Sequence, residues 1–220
     1  MCGRYSLVPT ESIAARFDAH QAQLTLLPRY NVAPSQTMPV VVRNSPNRLV
    51  DMQWGLIPSW SKEPRAQFST INARAETITK SPVFRGPFKS RRCLVPASGF
   101  YEWQRTEQGK QPFCIRLKDA DLFAFAGVYD IWRDPEGNEL CSYTIITTAP
   151  NDLVAAIHNR MPVILRQEDE QAWLDKEADP SWLLSLLVAY PADKMEAYPV
   201  SRAVNNPANE GAELMQAVTA

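Results

Sequence analysis

Short runs of apolar, β-branched and aromatic residues recur along the chain with turn residues between them, and this pattern predicts strands. Residues 135–138, Pro-Glu-Gly-Asn, are a turn signal between two such runs. The 18 prolines among 220 residues also favour short strands and ordered loops over a helical bundle. The predicted strands cover residues 38–43, 49–57, 91–98, 100–104, 113–118, 122–131, 140–148 and 196–200.

Fewer stretches have the apolar spacing of a helix. Thr10 can cap a helix over residues 11–24, and residues 29–34, 61–69 and 201–206 are predicted as turns or loops. Together the pattern predicts one α+β domain over residues 1–220, with a curved, mostly antiparallel sheet or open β-barrel as its core and helices at the periphery. The other predicted helices cover residues 84–89, 151–157, 168–174 and 180–188.

Composition narrows the class of protein. The chain is 45% hydrophobic and 21% charged, as soluble globular proteins are. No apolar run approaches the ~20 residues that span a bilayer, and no signal pattern opens the chain, so a cytoplasmic protein is expected. Four cysteines without metal-site spacing and two histidines lead us to expect no metal or other cofactor. Cys93, Cys114 and Cys141 are expected as buried small apolar residues.

Charge is distributed unevenly along the chain. Residues 1–118 carry 17 Lys/Arg against 7 Asp/Glu, and residues 119–220 carry 6 against 17. The two halves could neutralise each other within one fold. Alternatively, a basic surface from the first half could attract a polyanion.

The N-terminal sequence Met1-Cys2-Gly3-Arg4 carries distinctive chemistry. Methionine aminopeptidases remove Met1 before a small residue, so we expect the mature chain to begin at Cys2. Its α-amine would titrate near pH ~7.7–8.0, against ~10.4 for a lysine. The neighbouring thiol would supply a few per cent thiolate, and more if Arg4 stabilised the anion. Such a 1,2-aminothiol attacks an aldehyde with nitrogen and then closes through sulfur into a thiazolidine. From these residues alone, an incidental N-terminal cysteine is the alternative.

Seven short motifs follow one another along the chain. They are Cys-Gly-Arg at 2–4, Arg-Tyr-Asn-Val-Ala-Pro at 29–34, Trp-Gly-Leu-Ile-Pro-Ser-Trp at 54–60, Asn-Ala-Arg-Ala-Glu-Thr at 72–77, Gly-Phe-Tyr-Glu-Trp at 99–103, His-Asn-Arg-Met-Pro at 158–162 and Pro-Val-Ser-Arg-Ala-Val at 199–204. Taken in order, they resemble the SRAP family of SOS response-associated peptidases or abasic-site processing proteins, and the resemblance runs from Cys2 to about Gly211. It implies the SRAP fold and a protein that crosslinks to abasic sites in single-stranded DNA.

The resemblance implies that Cys2 forms the bond to the ring-opened sugar aldehyde and that Glu102 is a catalytic carboxylate. Glu102 lies between Tyr101 and Trp103 on a predicted strand, so its side chain should point to the face opposite both of them. Desolvation there would favour the neutral carboxyl and suit it to proton transfer. The alternative is a strand glutamate that faces solvent.

Two further catalytic residues follow from the resemblance. His158, with an intrinsic pKa near ~6.5, would assist opening of the sugar ring and reversal of the crosslink. Asn72 would hold the sugar hydroxyl and the N-terminus, because an amide both donates and accepts hydrogen bonds. The alternatives are a structural histidine and an Asx-turn. We expect the chain's second histidine, His20, on the surface of a plain helix.

The same resemblance predicts a DNA-binding surface. Arg4, Arg74 and Arg160 are candidate phosphate ligands, since a guanidinium can hold two phosphate oxygens at once. Pro34 and Trp60 match an apolar wedge beside the lesion. Structural salt bridges are the alternative for the arginines and core packing for Trp60, whereas Trp54 is expected in the core.

One departure from the family's bacterial pattern lies in the wedge. That pattern has a second tryptophan where this chain has Ser61, and the loop between Trp60 and Asn72 is longer here. This departure affects how the protein would bind double-stranded DNA next to the lesion. It does not affect the expected crosslinking step.

Three functions remain as hypotheses. The first is an abasic-site sensor, monomeric and without membrane contact, that crosslinks to single-stranded DNA, including junctions with duplex, and has weak lyase and crosslink-reversal activity. The second is an N-terminal-nucleophile cysteine peptidase or amidase, with the α-amine as base, and self-removal of Met1 would fit that activity. The third is a module that binds single-stranded DNA non-covalently. Its affinity would depend on salt concentration and would be the same with and without abasic sites.

Overall fold

The structure is a computed structural model that describes residues 2–8, 12–20, 27–44, 46–65 and 70–218. Within these ranges the chain forms mostly strands, joined by short helices and 3-10 turns. The strands are β1 (Tyr5–Leu7), β2 (Ala19–His20), β3 (Arg29–Val32), β4 (Thr37–Val42), β5 (Asn47–Trp54), β6 (Asn72–Arg74), β7 (Arg92–Ala97), β8 (Gly99–Thr106), β9 (Gly109–Leu117), β10 (Phe123–Arg133), β11 (Glu139–Thr148), β12 (Met161–Pro162) and β13 (Met195–Pro199). The α-helices are α1 (Ile13–Arg16), α2 (Arg85–Ser90), α3 (Asp152–Ala155), α4 (Glu170–Leu174) and α5 (Pro180–Ser185).

Five strands close into a barrel in the order β10, β7, β4, β5 and β11, with β11 returning to β10. The closing pair, β5 with β11, is parallel and sets Trp54 beside Tyr143, whereas the other pairs around the ring are antiparallel. Closure removes the exposed edges that an open sheet would present. The predicted fold class is confirmed, with a barrel that is closed rather than open.

A second sheet carries the N-terminus. Its order is β13, β9, β8, β1 and β3, and every pairing is antiparallel. Because β1 lies between β3 and β8, Tyr5 is opposite both Val32 and Phe100. The first residues of the chain are therefore held inside a sheet, next to the strand that carries Glu102.

One continuous hydrophobic core joins the barrel and the second sheet. At its centre the Tyr5 ring packs edge-on against Trp54 and Phe125, with ring centroids 5.2 and 6.0 Å away. The Tyr5 hydroxyl shares a hydrogen bond of 2.8 Å with that of Tyr143, so two buried phenols satisfy each other. The prediction that Trp54 is a core residue is confirmed.

The cysteines follow the prediction in part. All four are free thiols, and Cys93 and Cys114 are fully buried. Cys141, on the outer part of β11, is only half-buried. None of the described helices has the length and apolar character needed to cross a membrane.

The prediction of a long helix over residues 11–24 is wrong after the first helical turn, which is α1. The helix α1 begins after Ser12, whose hydroxyl accepts a hydrogen bond from the Ala15 N–H at 3.3 Å. It ends because Asp18 adopts a left-handed backbone conformation, with φ at 46°. His20 is exposed as expected, but it lies in β2 rather than on a helix. The predicted cap Thr10 and residues 21–26 lie outside the described residues.

The stretch predicted as turn-rich, 29–34, is mostly strand, because β3 pairs with β1 there. The turn itself covers Ala33 to Gln36, with Pro34 and Ser35 at its centre. Ser35 has a φ of 69°, in the left-handed region that type II turns require at that position. The loop predicted at 201–206 contains a 3-10 helix, Arg202–Asn205. Residues 61–65 of the loop predicted at 61–69 form neither helix nor strand, and residues 66–69 lie outside the described residues. The other predicted strands and helices are confirmed with shifted ends, and helix 180–188 stops at Ser185.

Ion pairs join the basic first half of the chain to the acidic second half. In the described part of the chain, four of them run in this direction: Arg16 with Glu170, Arg29 with Glu210, Arg91 with Asp130 and Arg116 with Glu196. Part of the charge asymmetry is thus neutralised within the fold. Other cations of the first half remain on the surface, among them Arg74, Arg105 and Lys110.

Candidate active site

The site is built around Cys2, which is fully buried. The backbone of the N-terminal segment continues the pairing of β1 with β8, since the Tyr101 N–H donates to the Arg4 carbonyl at 3.0 Å. Extending that register sets Gly3 opposite Glu102. From the other side, the Asn72 Nδ2 donates to the Cys2 carbonyl at 2.8 Å. Cys2 is therefore fixed between the second sheet and the barrel.

The Cys2 thiol is held in its neutral form. Burial is the main cause that raises its pKa, and the nearby Glu102 carboxylate raises it further. The sulfur's neighbour is the Arg4 carbonyl, 3.8 Å away. The expectation that Arg4 would stabilise a thiolate is wrong, because its guanidinium contacts Asn31 and the Val204 carbonyl instead.

Asn72 stands where β6 begins, and β6 pairs in parallel with β11. The side chain is buried, and its Nδ2 is occupied by the Cys2 carbonyl. Its Oδ1 is also buried and finds no hydrogen-bond donor among the described residues. A buried acceptor without a donor costs about 1–3 kcal/mol, so this oxygen is suited to a ligand hydroxyl or amine.

Glu102 is buried on the inner face of β8, with only 2% of its surface exposed. The neighbours Tyr101 and Trp103 belong to a separate apolar cluster on the opposite face, as the alternation of a strand requires. The alternative of a solvent-facing glutamate is excluded. Burial raises the pKa of the Glu102 carboxyl, and the nearby His158 partly offsets this rise.

His158 lies in the loop that follows α3, and the backbone of this loop contacts its imidazole. Its Nδ1 accepts a hydrogen bond from the Arg160 N–H at 3.1 Å and lies 3.9 Å from the Glu102 Oε1. The imidazole is partly exposed, with 27% of its side chain open to solvent. The imidazole and the buried carboxyl group therefore lie close enough together to act on the same ligand.

A cavity of about 410 Å³ opens onto these two groups. A neighbouring hollow of about 500 Å³ shares Trp103, Arg105 and His158 with it. The cavity is lined by Glu102, Trp103, Arg105, Lys110, His158 and Asn205.

Arg4 contributes to the structure of the site through Asn31. The Arg4 Nη1 donates to the Asn31 Oδ1 at 2.8 Å and to the Val204 carbonyl at 2.9 Å. The buried Asn31 in turn donates from Nδ2 to the carbonyls of Val204, Asn206 and Asn209. This network ties three of the sequence motifs together, at 2–4, 29–34 and 199–204.

We expect Asn31→Ala to lower the free energy of unfolding by about 2–4 kcal/mol, because it removes one of the two hydrogen bonds of the Arg4 Nη1 and the side-chain donor of the Asn206 and Asn209 carbonyls. Chemical denaturation measures the change. Asn44→Ala is the matched control, since Asn44 is exposed, and should stay within about 0.5 kcal/mol of the parent. A loss no larger than that of Asn44→Ala would contradict a structural role for the network.

The other two candidate arginines lie in different environments. Arg160 pairs with Glu76 through two hydrogen bonds, of 2.6 and 3.0 Å, and also donates to the Thr147 carbonyl. These bonds lower the pKa of Glu76. Arg74 is exposed on β6, two residues after Asn72. The salt-bridge alternative thus describes Arg160 in this structure, whereas Arg74 is the more exposed of the two candidates.

Trp60 is exposed, with 65% of its surface open to solvent, on a loop that is fixed on both sides. The Ser59 N–H donates to the Asp130 Oδ2 at 3.0 Å, and the Trp132 Nε1 donates to the Ser61 carbonyl at 2.8 Å. A large aromatic side chain held in water by a rigid loop is typical of a binding surface. The core-packing alternative for Trp60 is excluded.

Pro34 lies across a surface hollow of about 310 Å³ from the loop that carries Trp60. The hollow lies between the 33–36 turn and residues 57–65, and Trp54 forms part of its floor. The structure thus brings Cys2, Asn72, Glu102 and His158 together, with Arg4 beside them. Pro34 lines the hollow, and Trp60 is exposed on the loop that borders it.

Sequence reasoning missed several residues that build the site. Asn31, Asp130 and Asn205 are polar side chains whose partners lie far along the chain. Asn31 lies inside the 29–34 motif and Asn205 directly follows the 199–204 motif, and these positions could have indicated a role in the site. Arg105 and Lys110 gave no signal, because each is one of many cations in the first half.

The buried Cys2 therefore lies among a carboxyl group, an imidazole and an amide, a set of groups suited to nucleophilic and proton-transfer chemistry. The family model for SOS response associated peptidases (SRAP) matches residues 1–207, and the chain belongs to this family.

Curated relatives are similar along nearly the whole chain. The abasic site processing protein YoqW of Bacillus subtilis is 49% identical over 222 residues, which cover 98% of this chain and 99% of YoqW. The abasic site processing protein HMCES of Gallus gallus is 36% identical over 221 residues, 86% of this chain and 66% of HMCES. A solved structure of a Bacteroides thetaiotaomicron protein has a TM-score of 0.88 at 30% identity and covers 98% of this chain and 100% of that one.

Proposed function

We propose that this protein senses abasic sites in single-stranded DNA and forms a covalent thiazolidine with them through Cys2, after removal of Met1. Its relatives YoqW and HMCES carry the name abasic site processing protein. The observation that supports the proposal best is the buried Glu102, which is near enough to raise the pKa of the Cys2 thiol and lies 3.9 Å from His158. Carbonyl chemistry at an amine needs such groups, because protons must move at every step.

The reaction begins on the sugar. An abasic deoxyribose is mostly a cyclic hemiacetal, and His158 promotes its opening by taking the proton of the C1′ hydroxyl and passing it to the ring oxygen as the C1′–O4′ bond breaks. The products are an aldehyde at C1′ and a free 4′ hydroxyl. The buried Asn72 Oδ1 accepts a hydrogen bond from a sugar hydroxyl and holds the opened sugar beside Cys2.

The covalent bond then forms in two steps. The unprotonated Cys2 α-amine attacks C1′, and Glu102 donates the proton that lets the hydroxyl leave as water, which gives a Schiff base. The Cys2 sulfur adds to the same carbon, and its proton passes to the former imine nitrogen. One water is released overall and no oxidant or reductant is consumed. Elimination from the Schiff base instead would cut the strand, which is the weak lyase activity.

The DNA is bound by the arginines and the apolar wedge. Arg74, Arg4 and Arg160 provide phosphate contacts, and for Arg160 this requires exchange or sharing of its bonds to Glu76. Pro34 and Trp60 stack on bases where single-stranded DNA meets duplex. No cofactor and no second copy of the chain takes part in this scheme.

The test is a mixing experiment with three DNAs, one an abasic single strand, one the same strand intact and one an abasic duplex. We expect a heat-stable, slowly migrating band from the abasic single strand, formed also in the presence of a chelator. A band of equal strength from the intact strand, or none from the abasic strand, would overturn the proposal.

Replacing Trp60 with alanine should weaken non-covalent binding to a junction by about 5- to 100-fold, since stacking on one aromatic side chain contributes roughly 1–3 kcal/mol. Fluorescence anisotropy with a fluorescent junction DNA measures this. The melting temperature should not change, because the indole is exposed. Trp182→Ala is the control, as Trp182 is 40% exposed on α5. Equal effects of the two variants would rule out the wedge.

Of the peptidase hypothesis, this proposal keeps only the self-removal of Met1. Cleavage of a peptide in trans begins with attack by the sulfur and so needs a lowered thiol pKa, whereas the abasic reaction begins with attack by the α-amine. The Cys2 sulfur is buried and its pKa is raised. We therefore expect no turnover of added peptides, which a fluorogenic peptide assay measures directly.

A further inference from the structure

The hairpin of β8 and β9 carries two cations in an unfavourable arrangement. Arg105 and Lys110 are directly opposite each other in the antiparallel register, and both are exposed. Like charges in that position destabilise a sheet. In the part of the chain that the structure describes, no carboxylate forms an ion pair with either side chain. The repulsion would be relieved by an anion bound between them.

These cations belong to the cavity of the active site. Arg105 and Lys110 line the same cavity of about 410 Å³ as Glu102 and His158. Arg105 is three positions after Glu102 on β8, ~10 Å along the strand at about 3.3 Å per residue, and the cavity is lined from both faces of β8, by Glu102 on one and by Trp103 and Arg105 on the other. A ligand that reaches Glu102 with one end can therefore reach the cations with a neighbouring group.

The hairpin is held in place before any ligand arrives. The Trp103 Nε1 donates to the Asn205 Oδ1 at 2.7 Å, and the Gln104 Nε2 donates to the Ala156 carbonyl at 2.9 Å. At the turn, the Arg202 Nη2 donates to the Gln108 carbonyl at 3.3 Å, which brings a third cation to this end of the hairpin. A preformed cationic site loses little entropy on binding.

We propose that Arg105 and Lys110 form a phosphate subsite for the DNA backbone on one side of the lesion, separate from Arg4, Arg74 and Arg160. The inference rests on the proposed function, because it places the abasic sugar at Glu102 and His158. From that point the DNA strand runs along β8, and its next phosphates reach the β8–β9 hairpin. Trp103 lines the cavity between these two places and limits where the DNA strand can lie.

The experiment compares Arg105→Gln/Lys110→Gln with the unchanged chain, using single strands that contain a tetrahydrofuran abasic analogue, which cannot open to an aldehyde. We expect the double variant to bind about 5- to 30-fold more weakly at low salt. The plot of log affinity against log salt should become less steep by about 0.7 for each phosphate that the variant no longer neutralises. Arg85→Gln/Lys89→Gln is the matched control, because it removes the same charge from exposed positions on α2 that line neither cavity.

Truncated strands locate the subsite. When the nucleotides on one side of the analogue are removed, the difference between the double variant and the unchanged chain should disappear, and removal of the other side should leave it intact. A weakening that persists with both truncations, or that equals the weakening in the α2 control, would overturn the inference. Failure of the proposed function would look different, since the unchanged chain would then form no crosslink with a true abasic site. The melting temperature of the double variant should not fall, because the substitution removes a repulsion.

Discussion

Replacing Cys2 with alanine should abolish the heat-stable crosslink and leave non-covalent affinity for single-stranded DNA within about twofold of the parent. The crosslink disappears because alanine has no sulfur to close the ring, so any bond stops at a Schiff base that hydrolyses. The affinity remains because contacts to phosphates and bases supply it. Denaturing gels measure the first property, and anisotropy with the tetrahydrofuran analogue measures the second.

Two controls make this result specific to the sulfur. Borohydride should trap the Schiff base of Cys2→Ala and restore a stable band, because the α-amine is still present. Cys93→Ala should crosslink like the parent, since Cys93 is another fully buried free thiol but belongs to the barrel. A Cys2→Ala crosslink that survives heating without borohydride would show that another residue forms the bond.

The second large effect is expected for Glu102→Gln, which should slow crosslinking by about 10²- to 10⁴-fold, the usual contribution of a positioned acid or base. The same substitution should raise the melting temperature at neutral pH. Burial raises the pKa of the Glu102 carboxyl, so the charged form is unfavourable in the folded protein, and a neutral amide of the same shape removes that cost.

The stability difference should depend on pH in a defined direction. Below the unfolded pKa of about 4.3, the carboxyl is protonated in both states and the parent keeps the full contribution of the neutral group. As the pH rises from there through the raised pKa of the folded protein, the parent loses that contribution. The melting temperatures of the parent and Glu102→Gln should therefore diverge with rising pH and then differ by a constant amount. A gap that narrows as the pH rises would contradict a raised pKa.

Much of the fold could be predicted because strand signals are local. The runs at 91–98, 122–131 and 140–148 are strands of the barrel within a few residues of the predicted ends. Closure of the barrel could not be predicted, since the parallel contact of β5 with β11 joins residues about ninety positions apart. The helix over 11–24 failed for a similar reason. Its apolar residues fitted a helix, but pairing of β2 with β5 takes over at Ala19.

The properties of the candidate site divide in the same way into local ones, which the sequence predicts, and tertiary ones, which it does not. Strand alternation correctly predicted that Glu102 faces away from Tyr101 and Trp103, because that property depends on adjacent residues alone. The raised pKa of the Cys2 thiol could not be predicted, as it depends on burial under elements from the whole chain. The same holds for Arg160, whose pairing with Glu76 is a tertiary contact. The motifs contained Cys2, Asn72, Glu102 and His158, and the structure gave the contacts of these residues.

The decisive test of the Cys2 chemistry is intact-mass spectrometry of the purified protein and of its product with an abasic oligonucleotide. We expect a protein that lacks Met1, and a product formed without reductant whose mass is the sum of protein and DNA less one water. Fragmentation should locate the DNA on Cys2. A protein that retains Met1 and still crosslinks fully, or a product attached to a lysine, would contradict crosslinking through a free N-terminal cysteine.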